Sequence, residues 1–267
     1  MAFERLLARL FTLDSPPWLL KGGYALELRF ENRARSTLDL DISVPAPERL
    51  QVLAEGNEHT SHTYVVHDLL QQAAARDLHD GFQFLIGQPS REPTGAIRGG
   101  TRCSVEARLA GRTFSRFHLD IGLGDAVFEQ PDWIEGNALL AFAGIPAARV
   151  ALYPVEQQFA EKIHAYTFPW RERDNTRVKD LVDLVLLAHL GQMKPRRIKQ
   201  ALRVTFERRN THPLPTRLPE PPMAWARSFT ALAQELELPL STLGDAYRYL
   251  EAHWTRWGLG LMSEFPD

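Results

Sequence analysis

Two aspartates at alternate positions, Asp39 and Asp41, form the most suggestive chemical pattern in the chain. They fall in the run 37–44, where polar and apolar residues alternate strictly, so the spacing predicts a half-buried strand with both carboxylates on its polar face. Two like charges a few ångströms apart repel unless a cation lies between them. Magnesium prefers carboxylate oxygens and leaves positions open for phosphate oxygens. The pair therefore predicts a metal site for chemistry at phosphorus.

A third carboxylate, Asp120, lies in the run 117–122, whose apolar residues alternate with it. It would face the polar side of a second strand, and three such carboxylates can hold two metal ions for in-line displacement at phosphorus. His118 alternates in register with Asp120, so it either lines the same site or is a hydrogen-bonded structural residue.

Gly22 and Gly23 follow a short apolar segment and open a helical run that extends to Phe30. Backbone without side chains at a helix N-terminus lets amide N–H groups approach phosphates closely. Alone, the glycine pair could be only a tight turn, and the aspartate pair only a solvated strand face. Their occurrence in this order, together with Asp120, favours a phosphate- and metal-binding site.

In the C-terminal half, Lys162 lies in the middle of an apolar helical stripe. A lysine is seldom buried without a partner, so its ammonium reaches a triphosphate, an aspartate or the solvent. The helical run 177–190 is apolar nearly all round, which is typical of a buried helix. Asp180 and Asp183 on it need cationic partners, for which Lys162 and Arg177 are candidates, and the alternative is a structural ion pair at the domain junction.

A basic stripe at helical spacing comprises Arg196, Lys199 and Arg203, which could contact RNA phosphates or could be a solvated face. The run 98–102 is either a mobile basic loop over the substrate or a surface turn.

The elements that must position these residues are mixed α/β up to about residue 150 and helical beyond it. The patterns predict helices at 3–12, 24–30, 47–55 and 62–79, strands at 37–44, 82–86, 101–109 and 113–123, and later helices at 154–168, 177–190, 195–208, 223–237 and 241–257. The predicted fold class is α/β (α+β), a mixed sheet with flanking helices followed by an all-helical part. The predicted domains are 1–150, catalytic, and 151–267, helical.

Composition narrows the class of protein. The 267 residues include 31 Lys or Arg and 33 Asp or Glu, so the net charge of −2 provides no long-range attraction to nucleic acid, and any such partner needs a local patch. The single cysteine, Cys103, excludes an intramolecular disulfide and a cysteine-based zinc site. No run approaches the roughly 18 consecutive apolar residues of a membrane span, so the sequence predicts a cytoplasmic protein.

Five motifs together resemble the AbiEii/AbiGii-type nucleotidyltransferases, which are toxins of abortive-infection and type IV toxin–antitoxin systems in the DNA polymerase β superfamily. They are the glycine run 21–29, the aspartate run 35–41, and the runs 119–125, 160–165 and 177–184. The resemblance covers about residues 18–190.

The resemblance implies an Mg²⁺-dependent enzyme with two ions, an NTP donor and an AbiEi-like antitoxin partner. In MenT-like members the acceptor is the 3′ end of tRNA, so that translation stops. The helical domain would complete the active site and contact the acceptor. The implied metal ligands are Asp39, Asp41 and Asp120, the implied nucleotide-binding residues are Lys21, Gly22, Gly23 and Thr37, and Lys162 and Asp180 would be catalytic.

Several points stay open from the sequence. Asp183 rivals Asp180 for the aspartate role, and Arg35 is a further candidate phosphate contact. Transfer of NMP to a protein hydroxyl and a catalytically silent nucleotide- or protein-binding module are the alternatives. Neither the NTP, the acceptor RNA, the antitoxin nor the oligomeric state can be read from the sequence.

Overall fold

The computed structural model describes residues 1–12, 15–30, 34–50, 61–90, 99–170 and 175–260. They form two compact units. Of these residues, the first unit contains those within Met1–Glu31, Ser36–Asp125 and Pro131–Tyr153, and the second contains those within Asn32–Arg35, Ala126–Gln130 and Pro154–Asp267. None of the described helices is long and apolar enough to cross a membrane.

The first unit is built on a mixed seven-stranded sheet. Its elements are α1 (Ala2–Leu10), β1 (Leu19–Lys21), α2 (Gly22–Arg29), β2 (Asp39–Val44), α3 (His62–Ala74), β3 (Phe82–Ile86), β4 (Gly100–Leu109), β5 (Arg112–Leu123), β6 (Asp132–Glu135) and β7 (Arg149–Leu152). The strand order is β3-β4-β5-β2-β1-β7-β6. β2 runs parallel to β5 and β1 parallel to β7, whereas the other neighbours are antiparallel.

Alternation along β2 and β5 gives the sheet one apolar face. Leu40 and Ile42 on β2, and Leu119 and Ile121 on β5, are fully buried. Cys103, opposite Leu119 on β4, is buried as a small apolar residue, and burial raises the pKa of its thiol to about 11. Because successive side chains alternate between faces, the aspartates of these strands lie on the other side.

The second unit is helical. Its elements are α4 (Val155–Thr167), α5 (Val178–His189), α6 (Pro195–Arg209), α7 (Ala226–Glu235) and α8 (Leu243–Arg256). Helix α5 packs against α4, α7 and α8, and its side chains from Leu181 to Ala188 are all buried, as its nearly continuous apolar run predicts. The predicted fold class, a mixed sheet with flanking helices followed by helices, is confirmed.

Some local predictions were wrong. β2 begins at Asp39, and Leu38 is 84% exposed, because the pairing of β2 with β5 starts at Asp39 and leaves the preceding leucine without a strand beside it. Residues 100–102 belong to β4 rather than to a loop. The helix predicted at 47–55 is a single 3₁₀ turn, Pro47–Arg49, and its remainder from residue 51 lies outside the described residues.

A buried ion-pair cluster fixes α1 to the start of β3. Arg9 binds Asp80 through two hydrogen bonds of 2.7 and 2.9 Å, and Arg5 adds a third of 2.6 Å. The side chains of Arg9 and Asp80 are completely buried. Burial alone would raise the pKa of Asp80, but hydrogen bonds from Arg9, Arg5 and the Phe82 N–H outweigh it and hold this pKa well below its usual range.

The substitution Asp80→Asn tests this cluster. It leaves two buried guanidinium groups without their carboxylate, so we expect a loss of about 3–5 kcal/mol in the free energy of unfolding at pH 7, measured by chemical denaturation. A depressed pKa contributes stability above the unfolded-state value of about 4, which is lost as the pH falls through the folded-state value, so the deficit should shrink in acid. The exposed Asp77→Asn serves as the control, and an equal loss in both variants would contradict this assignment.

Candidate functional site

Strand register brings four charged residues into one row across the sheet of the first unit. Lys21 on β1 is opposite Asp41 on β2, Asp41 is opposite Asp120 on β5, and Asp120 is opposite Arg102 on β4. Directly opposite residues project from the same face of a sheet. The row thus places two adjacent carboxylates between two cationic residues.

Asp39 lies in the next row of the same face, opposite His118. The His118 Nδ1 is 3.3 Å from an Asp39 carboxylate oxygen, so His118 does line this cluster. Thr37 donates a hydrogen bond of 3.2 Å to the Asp39 carbonyl oxygen and thereby orders the entry to β2. The structure therefore brings Asp39, Asp41 and Asp120 together on one polar face.

A guanidinium group binds this carboxylate set. Arg102 donates to both oxygens of Asp120, with Nε–Oδ1 and Nη2–Oδ2 distances of 2.7 Å each. Its Nη2 is also 3.7 Å from Asp39 Oδ2. The three side chains are partly exposed, at 31% for Arg102, 17% for Asp120 and 34% for Asp39. The repulsion that the sequence predicts is thus relieved by a cation supplied from β4.

The backbone of Gly22 lies against Asp41. Gly22 opens α2 with φ of +70°, and a Cβ there would be 2.0 Å from Asp41 Oδ2 and 2.5 Å from Asp41 Cγ. Only glycine permits both this left-handed backbone and this close approach. The first turn of α2, which includes the buried Gly23, thus begins beside a carboxylate of the charged row.

Lys21 is held by a residue whose role the sequence analysis did not identify. Its ammonium forms an ion pair with Asp125, a buried carboxylate. Gly122 makes room for the pair, because a Cβ there would be 2.5 Å from Asp125 Oδ2 and 2.8 Å from Lys21 Nζ. The only signal in the sequence was the position of Asp125 at the end of the run 119–125.

The donor chemistry of this face suits a hard divalent cation. Three carboxylates on adjacent strands offer the oxygen ligands that Mg²⁺ prefers, and the bound guanidinium demonstrates that the cluster stabilises positive charge. Within the described residues, no group of three or more His, Cys, Asp or Glu side chains is already arranged around a metal position. The residue types therefore suit a divalent cation. In this structure, the carboxylates are arranged around the guanidinium of Arg102.

A groove of about 750 Å³ continues from Asp39 along the polar face of the sheet. Leu38 and Leu85 line it with exposed fractions of 84% and 48%, and Arg116 and His118 add polar groups. Leu38, which the alternation predicted on the apolar face, thus lies on the wall of this groove instead of in the core. A ligand lying in this groove would contact both aliphatic and polar side chains beside the carboxylates.

The second unit contains an ion-pair network centred on Lys162. Its Nζ on α4 lies 2.7 Å from Asp180 Oδ1 and 2.8 Å from Asp183 Oδ2, both on α5. Arg35 binds Asp183 at 3.0 and 3.1 Å, and Arg177 lies 3.3 Å from Asp180. The sequence left a triphosphate, an aspartate or the solvent as the partner of the Lys162 ammonium. In the structure this ammonium binds two aspartates.

The three central groups of the network are largely buried, with exposures of 14% for Lys162, 6% for Asp180 and 0% for Asp183. Burial lowers the pKa of Lys162, but the charges of Asp183 and Asp180 outweigh it and raise this pKa above its usual value. Burial likewise would raise the pKa of Asp180, which the Lys162 charge instead holds low. Lys162 and Asp180 are therefore both charged at neutral pH. Which aspartate acts in catalysis stays a prediction.

The basic stripe of α6 carries acidic neighbours. Arg203 pairs with Glu207 at 2.7 Å, and both side chains are more than 60% exposed. Arg196 is exposed and Lys199 is partly buried. Contact of this stripe with RNA stays a prediction.

The close approach of Gly22 to Asp41 is tested with a matched pair of glycines. Gly111, in the β4–β5 turn, has φ of +77° and no atom within 4 Å of a built Cβ. We expect Gly111→Ala to lose only the left-handed strain of about 1 kcal/mol in unfolding free energy. Gly22→Ala should lose about 1–3 kcal/mol more, because its Cβ overlaps Asp41. Equal losses in thermal or denaturant unfolding would show that the approach is not required.

The Lys162 network is tested with Lys162→Met, with Lys179→Met on the exposed side of α5 as the control. The first variant leaves two buried carboxylates without their central cation, so it should lose about 3–5 kcal/mol of unfolding free energy at pH 7.

The contribution of Lys162, whose pKa is raised, is present below its unfolded-state value and stays complete at neutral pH. That of Asp180, whose pKa is lowered, disappears as the pH falls through the folded-state value. The difference between wild type and Lys162→Met should therefore narrow below about pH 4, and a constant difference would contradict the network.

Comparison with known proteins agrees with the geometry. The family model described as "Nucleotidyl transferase AbiEii toxin, Type IV TA system" matches residues 5–254. No curated protein matches the chain. Among solved structures, the chain is similar in fold to MenT4, a nucleotidyltransferase toxin from Mycobacterium tuberculosis H37Rv, with a TM-score of 0.52 and 18% identity over 97% of this chain and 89% of that one. Because the family model spans nearly the whole chain, the protein belongs to the AbiEii nucleotidyl transferase toxins of type IV toxin–antitoxin systems.

Proposed function

We propose that this toxin transfers NMP from an NTP to the 3′ end of tRNA in an Mg²⁺-dependent reaction that blocks translation. The observation that carries the proposal is the row in which the Gly22 backbone abuts Asp41 and Asp41 is paired with Asp120. A side-chain-free helix start beside paired carboxylates places phosphate-binding and metal-binding groups next to each other. That combination is what displacement at a nucleotide phosphorus requires.

Asp39, Asp41 and Asp120 would hold the divalent cations, two in our proposal. When bound, such ions neutralise phosphate charge and clamp the attacking and leaving oxygens. Asp120 is on the β5 side of the set, away from Gly22. We assign it to accept the proton of an attacking hydroxyl. In this proposal the reacting phosphorus lies beside these three carboxylates, whose spacing is fixed by the strand register.

The triphosphate is assigned to the α2 side of the row. Gly22 and Gly23 lie at the N-terminus of α2, where backbone N–H groups and the helix dipole favour phosphate oxygens. Lys21 supplies a positive charge fixed by Asp125, so it can neutralise phosphate without losing side-chain freedom on binding. Thr37, through its hydrogen bond to the Asp39 carbonyl, holds the aspartates in register.

The acceptor is assigned to the other side of the same row. In-line displacement requires the nucleophile to approach opposite the leaving group. If pyrophosphate leaves toward Gly22, the acceptor hydroxyl approaches from β5 and β4, where the groove beside Asp39 opens. Its mixture of aliphatic walls, formed by Leu38 and Leu85, with polar groups suits a ribose and base.

In the second unit, we assign Lys162 to neutralising phosphate charge and Asp180 to positioning Lys162, as the resemblance implies. The support is that two aspartates fix the ammonium and keep it charged. Arg35 is bound to Asp183 in the same network and stays a candidate phosphate contact. The stripe of Arg196, Lys199 and Arg203 is proposed to contact RNA phosphates.

An AbiEi-like antitoxin is the proposed partner, and the reaction would take place in the cytoplasm, where tRNA and NTPs are found.

The decisive experiment replaces Asp41 and follows NMP transfer. Each labelled NTP is incubated with total RNA and cell lysate, and the product is treated with RNase or protease to identify the acceptor. We expect RNase-sensitive label with wild type and unchanged transfer in Asp77→Asn. Because Asp41→Asn removes a metal ligand, it should lose transfer by a factor of at least about 1000, which corresponds to about 4 kcal/mol of barrier.

Circular dichroism and thermal unfolding must show that Asp41→Asn is folded. Retained transfer by the folded variant would remove the metal-site assignment. Protease-sensitive label would move the acceptor to a protein hydroxyl, and absence of label with every NTP would favour a silent binding module.

A further inference from the structure

We propose that Arg102 is an exchangeable counter-ion of the carboxylate set, which competes with the divalent cation and thereby sets the metal affinity of the site. The inference rests on the proposed function, because it assigns a role to a residue beside the proposed metal ligands. Arg102 is not among those ligands and belongs to a different strand, β4.

The first argument is the identity of the oxygens involved. Arg102 occupies both oxygens of Asp120 at 2.7 Å, and its Nη2 extends to within 3.7 Å of Asp39 Oδ2. A cation bridging Asp39 and Asp120 would need oxygen lone pairs that face this same space. The guanidinium and the metal therefore cannot both hold their full set of contacts, and binding of one weakens binding of the other.

The second argument is that only the side chain needs to move. The backbone of Arg102 is fixed in the β4–β5 ladder opposite Asp120 and accepts hydrogen bonds of 2.9 Å from Ser90 N and 2.8 Å from Ser90 Oγ. The side chain is 31% exposed, so it has access to water when it leaves Asp120. Release of the guanidinium is thus a rotamer change at the surface and requires no repacking of the sheet.

The third argument is energetic. The pair is bidentate and only partly exposed, so breaking it without a replacement would leave Asp120 without a cation. Exchange of the guanidinium for a divalent cation keeps the carboxylate paired. A divalent cation carries twice the charge, and when it arrives with a nucleotide the phosphate oxygens complete its coordination. We therefore expect Arg102 to oppose binding of the metal alone and to give way to the metal–nucleotide complex, which would keep the carboxylates paired until a substrate arrives.

Arg108 provides a matched control on the same strand. It is paired with Glu106 at 2.7 Å, is 41% exposed, and contacts a carboxylate outside the proposed metal set. Removing it changes the net charge as much as removing Arg102 does. A difference between the two variants therefore reports competition at the carboxylates rather than a general electrostatic effect.

The test measures Mn²⁺ affinity of the full chain without nucleotide, from the electron paramagnetic resonance signal of free Mn²⁺. We expect Arg102→Gln to bind Mn²⁺ about tenfold or more tightly than wild type, because a competing cation is lost from the carboxylates, and Arg108→Gln to bind like wild type. Arg102→Lys, which keeps the charge but not the paired contact, should lie between them. With saturating NTP the difference between wild type and Arg102→Gln should decrease.

Unchanged affinity in Arg102→Gln would overturn the proposal, and weaker affinity would show that Arg102 instead organises the ligands. If Arg102→Gln does not fold, the intermediate affinity expected of Arg102→Lys decides the matter alone. The titration also includes Asp41→Asn. Mn²⁺ binding that survives Asp41→Asn, or that is absent from wild type even with NTP, would refute the proposed metal site itself, whereas binding that requires Asp41 but ignores Arg102 refutes only the competition.

Discussion

The constraint on which the first unit depends is the strand register that places mutually repelling carboxylates on one face of the sheet. Parallel pairing of β2 with β5 places Asp41 directly opposite Asp120, and this register is set by the apolar side chains on the other face. A slip of one residue would bury the aspartates and expose Leu40 and Ile42, which are now fully buried. The hydrophobic core thus enforces a charge arrangement that is unfavourable by itself. The cationic side chains around it, Lys21 from β1 and Arg102 from β4, offset this repulsion between the carboxylates.

Absent side chains contribute as much to this arrangement as the charged ones. Gly22 lets the first turn of α2 reach Asp41, and Gly122 makes room for the ion pair of Lys21 with Asp125. In both places a Cβ would lie closer to a charged side-chain atom than van der Waals contact allows. Close approach of backbone to charge is therefore a property of the fold at these points, and the fold and the proposed site cannot be altered independently.

The parts of the structure that depend on local periodicity could be predicted from the sequence. The alternation around Asp39, the hairpin at 101–123 and the buried helix around Asp180 are of this kind, and so was the need of Lys162 for an anion, since burying a lone charge is costly. Ion pairs and strand pairs between residues far apart in the sequence could not be predicted. The pair of Lys21 with Asp125, the pair of Arg102 with Asp120, and strands β6 and β7 leave no periodic pattern, because they arise only when the sheet has been assembled.

The two charged clusters differ in how freely their charges can exchange. Around Asp120 the partners are partly exposed, so one cation can replace another at small cost. Around Lys162 the carboxylates of Asp180 and Asp183 are buried, and removing any partner leaves a charge that water cannot reach. A buried network of this kind adds little stability compared with apolar packing, yet it fixes the ammonium in one place and keeps it charged. Chemistry that takes up and releases metal and phosphate needs the first property, and a group that must stay charged and in position needs the second. Five of the 33 Asp and Glu residues, namely Asp39, Asp41, Asp120, Asp180 and Asp183, lie within these two clusters. The net charge of −2 therefore understates how basic the rest of the surface can be, and it is compatible with a polyanionic substrate.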